Sequence, residues 1–109
     1  MIKFLMLAVA LSFSASAADK AKQDESVVDV CQAHAKLAKR IMTSRQDGTE
    51  MSSLLEMIEK LPDDSAKRTA QAIIMMAYDE SAYSAEKNQQ KAITEFSNKI
   101  MLTCLKLRQ

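Results

Sequence analysis

The chain has 109 residues, 48% of them hydrophobic, with 15 Lys and Arg against 14 Asp and Glu. Charges of both signs are interspersed with no block of one sign, so there is neither the basic face that nucleic acid requires nor the basic stripe of a membrane-surface helix. One Gly, one Pro and no Trp disfavour a turn-rich β fold, and the supply of Ala, Lys, Glu, Gln, Leu and Met favours helix.

Met1-Ile2-Lys3 is a short opening with one positive charge, Phe4 through Phe13 is almost wholly apolar, and Ser14 to Ala18 supplies small residues in an A-x-A pattern. This order predicts a cleavable secretory signal over residues 1–18, cut after Ala17 or Ala18, with a helical domain over 19–109. The apolar stretch of about ten residues is too short to span a bilayer comfortably, which takes roughly 20. No second run of membrane length follows, so no membrane association is expected after cleavage. No Cys follows the apolar stretch either, which argues against a lipid-modified terminus. The expected compartment is a bacterial periplasm, with secretion as the alternative. Loss of Lys3 leaves the remaining chain near neutrality, and about 91 residues make one domain with a thin margin of stability.

Residues 24–46 carry one apolar stripe at helical spacing: Val27, Val30, Cys31, His34, Leu37, Ala38, Ile41 and Met42. Asp47-Gly48 ends this helix, glycine suiting the left-handed position beyond a helix end. Thr49 is the expected cap of a second helix over 50–61, whose buried face is Met51, Leu54, Leu55, Ile58 and Leu61 and which Pro62 stops. Asp63, Asp64 or Ser65 caps a third over 65–79, with the stripe Ala66, Thr69, Ala70, Ile73, Met76 and Ala77. Residues 79–83 read as a loop. Ser84 is the expected cap of a fourth helix over 85–107, where Gln89, Ala92, Ile93, Phe96, Ile100, Cys104 and Leu107 share a face and Glu86 favours the first turn. Four helices with one stripe each must pack on one another, so the fold class is all-α, a small four-helix bundle behind a cleavable signal peptide.

Cys31 and Cys104 are the only cysteines. In an up-down-up-down bundle the first and last helices run antiparallel, which brings the start of one beside the end of the other. An intramolecular disulfide is the preferred reading; buried free thiols and intermolecular pairing are the alternatives. The bridge would close a loop of roughly 74 residues, a stabilisation of about 4 kcal/mol by loop-closure entropy.

His34 is the only histidine. It reads either as a pH-sensing group or as a satisfied histidine at the edge of the core. Tyr78 and Tyr83 flank the acidic pair Asp79-Glu80 and suit the rim of a partner-binding surface, though loop packing explains them as well. Arg45 reads as a partner contact or as a cation favoured beside the carboxyl end of the first helix. Met75, with Met57, Tyr78, Met101, Leu102 and Leu105, falls outside the main stripes. These residues either widen the buried face or form an exposed apolar patch. Six methionines lie beyond the signal; they read as adaptable core filler, against a Met-lined groove for a partner or a Cu(I) site. One His and two pairing Cys cannot complete a zinc shell, and no catalytic motif is present, so no metal, cofactor or catalytic residue is expected.

Cys31, Leu37-Ala38, Ile41-Met42, Arg45-Gln46-Asp47-Gly48, Ala77-Tyr78, Ile93, Phe96 and Cys104 make an arrangement that resembles small exported helical two-cysteine proteins of unassigned function from Gram-negative bacteria and their phages. The resemblance spans nearly the whole chain beyond the signal, implies export and paired cysteines, and carries no catalytic or ligand residue. The acid-protective periplasmic chaperones are similar in architecture alone. The expected function is a non-catalytic periplasmic interaction module, a monomer or weak homodimer that binds an envelope protein or an unfolded client. A stress chaperone or pH-responsive protein is the alternative, ahead of a Cu(I)-binding protein or small enzyme.

Overall fold

The computed structural model describes residues 27–108, so the signal expected over 1–18 lies outside the described residues. The chain divides into two units, Met1–Val30 and Cys31–Gln109. Of the first, residues 27–30 are described and are helical. Among the described residues there are four helices and no strand: α1 over 27–46, α2 Met51–Ile58, α3 Asp64–Asp79 and α4 Glu86–Leu107. The protein is an all-α bundle.

The helix ends follow from local chemistry. Gly48 has φ +87°. Its N–H donates to the carbonyl of Arg45 at 3.2 Å, and the N–H of Thr49 reaches Ser44 O at 3.0 Å. Those two bonds form the Schellman closure, which satisfies the last carbonyls of α1 and needs a residue without Cβ strain at the left-handed position. Asp63 caps α3, its carboxylate accepting from the N–H groups of Ser65 and Ala66. The other two expected caps are corrected. Glu50 and Ala85 occupy the N-cap positions of α2 and α4, and neither makes a side-chain cap bond. Thr49 is instead spent in the α1 closure through its N–H, and its carbonyl accepts from the Tyr78 hydroxyl. Ser84 lies one residue too early to cap α4.

α2 is also shorter than expected. Lys60 N–H bonds Met57 O and Leu61 N–H bonds Ile58 O, three-residue bonds that tighten the last turn and end the α-helix at Ile58. Pro62 restricts Leu61 to extended backbone, which prevents continuation.

The core within Cys31–Gln109 gathers Ala38, Ile41 and Met42 of α1, Leu54 of α2, Ile73, Ile74 and Ala77 of α3, and Ile93, Phe96 and Ile100 of α4. The α1, α3 and α4 sets follow helical spacing, and partly buried Met51, Leu55 and Ile58 pack beside Leu54 on α2, so one face per helix is turned to the core. Ile74 is fully buried although it falls outside the expected α3 stripe, whereas Ala66 and Thr69, expected inside, are half-buried. Two expected core residues are exposed: Leu107, at 80% exposure in the final turn of α4, and Leu61, in the turn after α2. Cys31 and Cys104 are joined by a disulfide across a sequence separation of 73, with Cα atoms 5.5 Å apart. The Ser97 hydroxyl donates to Ala35 O at 3.0 Å, a second tie between α1 and α4. Among the described residues no helix is long and apolar enough to cross a membrane.

Candidate partner-binding loop and groove

The most constrained irregular segment is 80–85, which joins α3 to α4. It runs on the surface, where a short polar stretch would ordinarily be held by its ends alone. Here the carboxyl end of α1 grips it. Arg45 donates through Nε and Nη2 to the carbonyl of Glu80, at 3.2 and 3.0 Å. Its guanidinium lies 5.1 Å from the centre of the Tyr78 ring, within range of a cation–π contact. Glu80 is the C-cap of α3, so the cation sits at the carbonyl-rich end of a helix that is not its own.

Gln46 is the second grip and the one buried polar side chain among the described residues, at 6% exposure. Its Nε2 donates to Ser81 O at 2.8 Å and its Oε1 accepts from Tyr83 N–H at 2.8 Å. One amide thus satisfies a carbonyl and an N–H two residues apart. This pairing fixes which end of the amide carries the nitrogen. Nε2 also lies 3.4 Å from the sulfur of Met42. On the far side, Gln89 of α4 donates to Tyr83 O at 2.6 Å. The peptide groups on both sides of Tyr83 are therefore tied to different helices, while the residue stays 45% exposed and lines the groove described next.

Beside this loop lies an open groove of about 390 Å³. One wall is a stripe of α4 at three- and four-residue spacing: Asn88, Lys91, Ala92, Glu95, Phe96 and Lys99; the other is Glu80 and Tyr83, with Met42 beneath. Met42 and Phe96 are sealed in the core, so the accessible lining is polar except for Ala92 and the Tyr83 ring. Lys99 pairs with Glu80 at 3.6 Å and Lys91 with Glu95 at 4.0 Å. Both pairs are exposed, and such pairs contribute little to stability, so their charges remain available to a ligand.

Among the described residues no group of three or more His, Cys, Asp or Glu side chains is placed to hold a metal ion. Comparison with protein-family models, curated proteins and solved structures finds no match to this chain. The reading of the site therefore rests on its geometry.

Of the four residues expected to bind a partner, the structure brings Arg45 and Tyr78 together and uses both internally. Burial pushes the Tyr78 phenol above its ordinary range, partly offset by the adjacent Arg45. Tyr83 keeps a free ring on the groove. Met75 is exposed one turn before Tyr78 and does not line the groove. His34 is half-buried one turn beyond Cys31; burial first, and the Arg108 cation second, hold its pKa below 6.5. Gln46 is the residue that sequence reading passed over. It extends the α1 stripe, lying four residues beyond Met42 and eight beyond Ala38, and that spacing was the available signal.

Proposed function

We propose that this protein is a non-catalytic interaction module of the bacterial envelope, acting in the periplasm or secreted, and that its binding surface is the 80–85 loop with the adjoining face of α4. The observation that carries this reading is Tyr83: an exposed aromatic ring on a backbone held by Gln46 and Gln89. Tyrosines fixed before binding lose little entropy on complex formation and are favoured anchors in interfaces. The groove is open, polar-rimmed and of balanced charge, with Lys91 and Lys99 against Glu80 and Glu95. Its complement is a protein segment that lays one apolar side chain against Tyr83 and Ala92, a carboxylate against Lys91 or Lys99, and an ammonium group against Glu80 or Glu95. Residues 1–18 support export by their signal-like order, and the Cys31–Cys104 bridge is in keeping with an oxidising compartment.

The test is photo-crosslinking from a reactive group introduced at position 83 in the native envelope, compared with Tyr83→Ala and Lys99→Glu in affinity capture. The reading expects one dominant adduct at position 83, and affinity capture of that same partner that Tyr83→Ala and Lys99→Glu each abolish and Gln71→Ala, on the exposed face of α3, retains. Capture that is unchanged by Tyr83→Ala and Lys99→Glu would overturn it.

A further inference from the structure

The methionines of α1, α2 and α3 differ sharply in access to solvent. Met57 of α2 is 65% exposed and Met75 of α3 is 55% exposed, whereas Met42 of α1 is 0% exposed and its sulfur receives the Gln46 amide at 3.4 Å. Met57 stands among exposed Ser53, Glu56 and Lys60, and Met75 among exposed Gln71, Ala72 and Asp79, each on the solvent side of its helix. Neither thioether fills a core gap, so packing does not explain either. Surface apolar residues scattered singly are ordinary, but an exposed thioether has a chemistry that Leu lacks. We infer that Met57 and Met75 are oxidation sites that take up oxygen from a peroxide-class oxidant while the fold stays intact, with Met42 protected beneath the Gln46 clamp.

The step balances with hydrogen peroxide as the co-reactant. A sulfur lone pair attacks one peroxide oxygen, the O–O bond breaks and an S–O bond forms. The departing oxygen takes up the proton of the transferred one and leaves as water. Sulfur is oxidised by two electrons and peroxide is reduced by two. The sulfoxide so formed is polar, and on an exposed helix face it projects into water with no neighbour to displace. The same change at Met42 would force a polar group into the core and disturb the Gln46 amide that holds Ser81 and Tyr83. Reaction there first requires opening of the core, which slows it relative to the surface sites.

The experiment treats the purified, disulfide-bonded protein with graded hydrogen peroxide and maps added oxygen by peptide mass spectrometry, with helix content followed by circular dichroism. The expected result is one added oxygen at Met57 and one at Met75 before any at Met42, with undiminished helix signal. The Met57→Leu/Met75→Leu double variant is expected to lose those first two oxygen additions at the same dose. Oxidation of Met42 as fast as Met57 and Met75 would overturn the inference. So would loss of helix signal with the first two additions, or equal oxygen uptake by the double variant.

Discussion

Replacing Gln46 tests the clamp on which the proposed binding surface depends. Gln46→Leu keeps the volume and the apolar contacts beside Met42 but removes the 2.8 Å bond to Ser81 O and the 2.8 Å bond from Tyr83 N–H. Each bond is worth about 0.5–1.5 kcal/mol net. The stranded loop groups lie near the surface, where water can reach them, so the loss falls in the lower part of the range, about 1–2 kcal/mol. For a domain of this size that lowers the melting temperature by about 4–16 °C. Gln46→Glu sharpens the test. The introduced carboxylate still accepts from Tyr83 N–H, but when ionised it has no proton for Ser81 O and is itself desolvated. Both effects raise its pKa in the folded state above the ordinary value of about 4.3. A group with a raised folded pKa stabilises the fold below its unfolded pKa and loses that contribution as pH rises through the folded one. The Glu variant therefore comes nearest to the parent below about pH 4 and falls behind it towards neutrality. Urea unfolding of parent and both variants at pH 4 and pH 7 measures this directly. A Leu variant as stable as the parent, or a Glu variant whose deficit is the same at both pH values, would refute the reasoning.

Other perturbations have equally definite outcomes. Cys31→Ser/Cys104→Ser removes a bridge across 73 positions and is expected to cost about 4 kcal/mol, read as a lower urea midpoint that reductant no longer shifts. Asp63→Ala deletes the cap that accepts from Ser65 and Ala66 and is expected to cost about 1 kcal/mol, with Asp63→Asn restoring most of it. His34 has a folded pKa below its unfolded value, so the unfolded chain binds the extra proton first. Stability is unaffected above about pH 6.5 and declines as pH falls from there through the folded pKa. His34→Gln is expected to flatten that decline in thermal melts between pH 7 and pH 5, and an unchanged slope would remove His34 from any pH response.

The features legible in the sequence are those written in a single element. Gly48, Asp63 and the helical spacing of Ile73, Ile93, Phe96 and Ile100 announce an end, a cap and buried faces with no knowledge of the rest of the chain. The cysteine pairing was legible one level up, because antiparallel first and last helices bring Cys31 and Cys104 together. Arg45 and Tyr78 stood out as candidates, but the internal bonds of Gln46, Arg45 and Tyr78 were not legible, because their partners lie 29 to 37 residues away in segments with no periodicity. A polar residue next to Asp47-Gly48 reads as surface unless the α1 stripe is followed one turn further. Ile74 shows the same error in another form. Ala70, Ile73, Ile74 and Ala77 are a regular i, i+3, i+4, i+7 set, and a stripe drawn through Ala66 and Thr69 hid it. Leu107 and Leu61 were misplaced because spacing continues past a helix's last packed turn while the neighbouring helix does not.

Amide hydrogen exchange at Tyr83 tests the central claim most directly. Its N–H lies in an exposed loop, and only the Gln46 side chain shields it. The account predicts a Tyr83 amide that exchanges with protection comparable to the helices in the parent and loses that protection in Gln46→Leu. A parent Tyr83 amide that exchanges as fast as an unstructured peptide would contradict the account, since the ring would then not be held in advance for a partner.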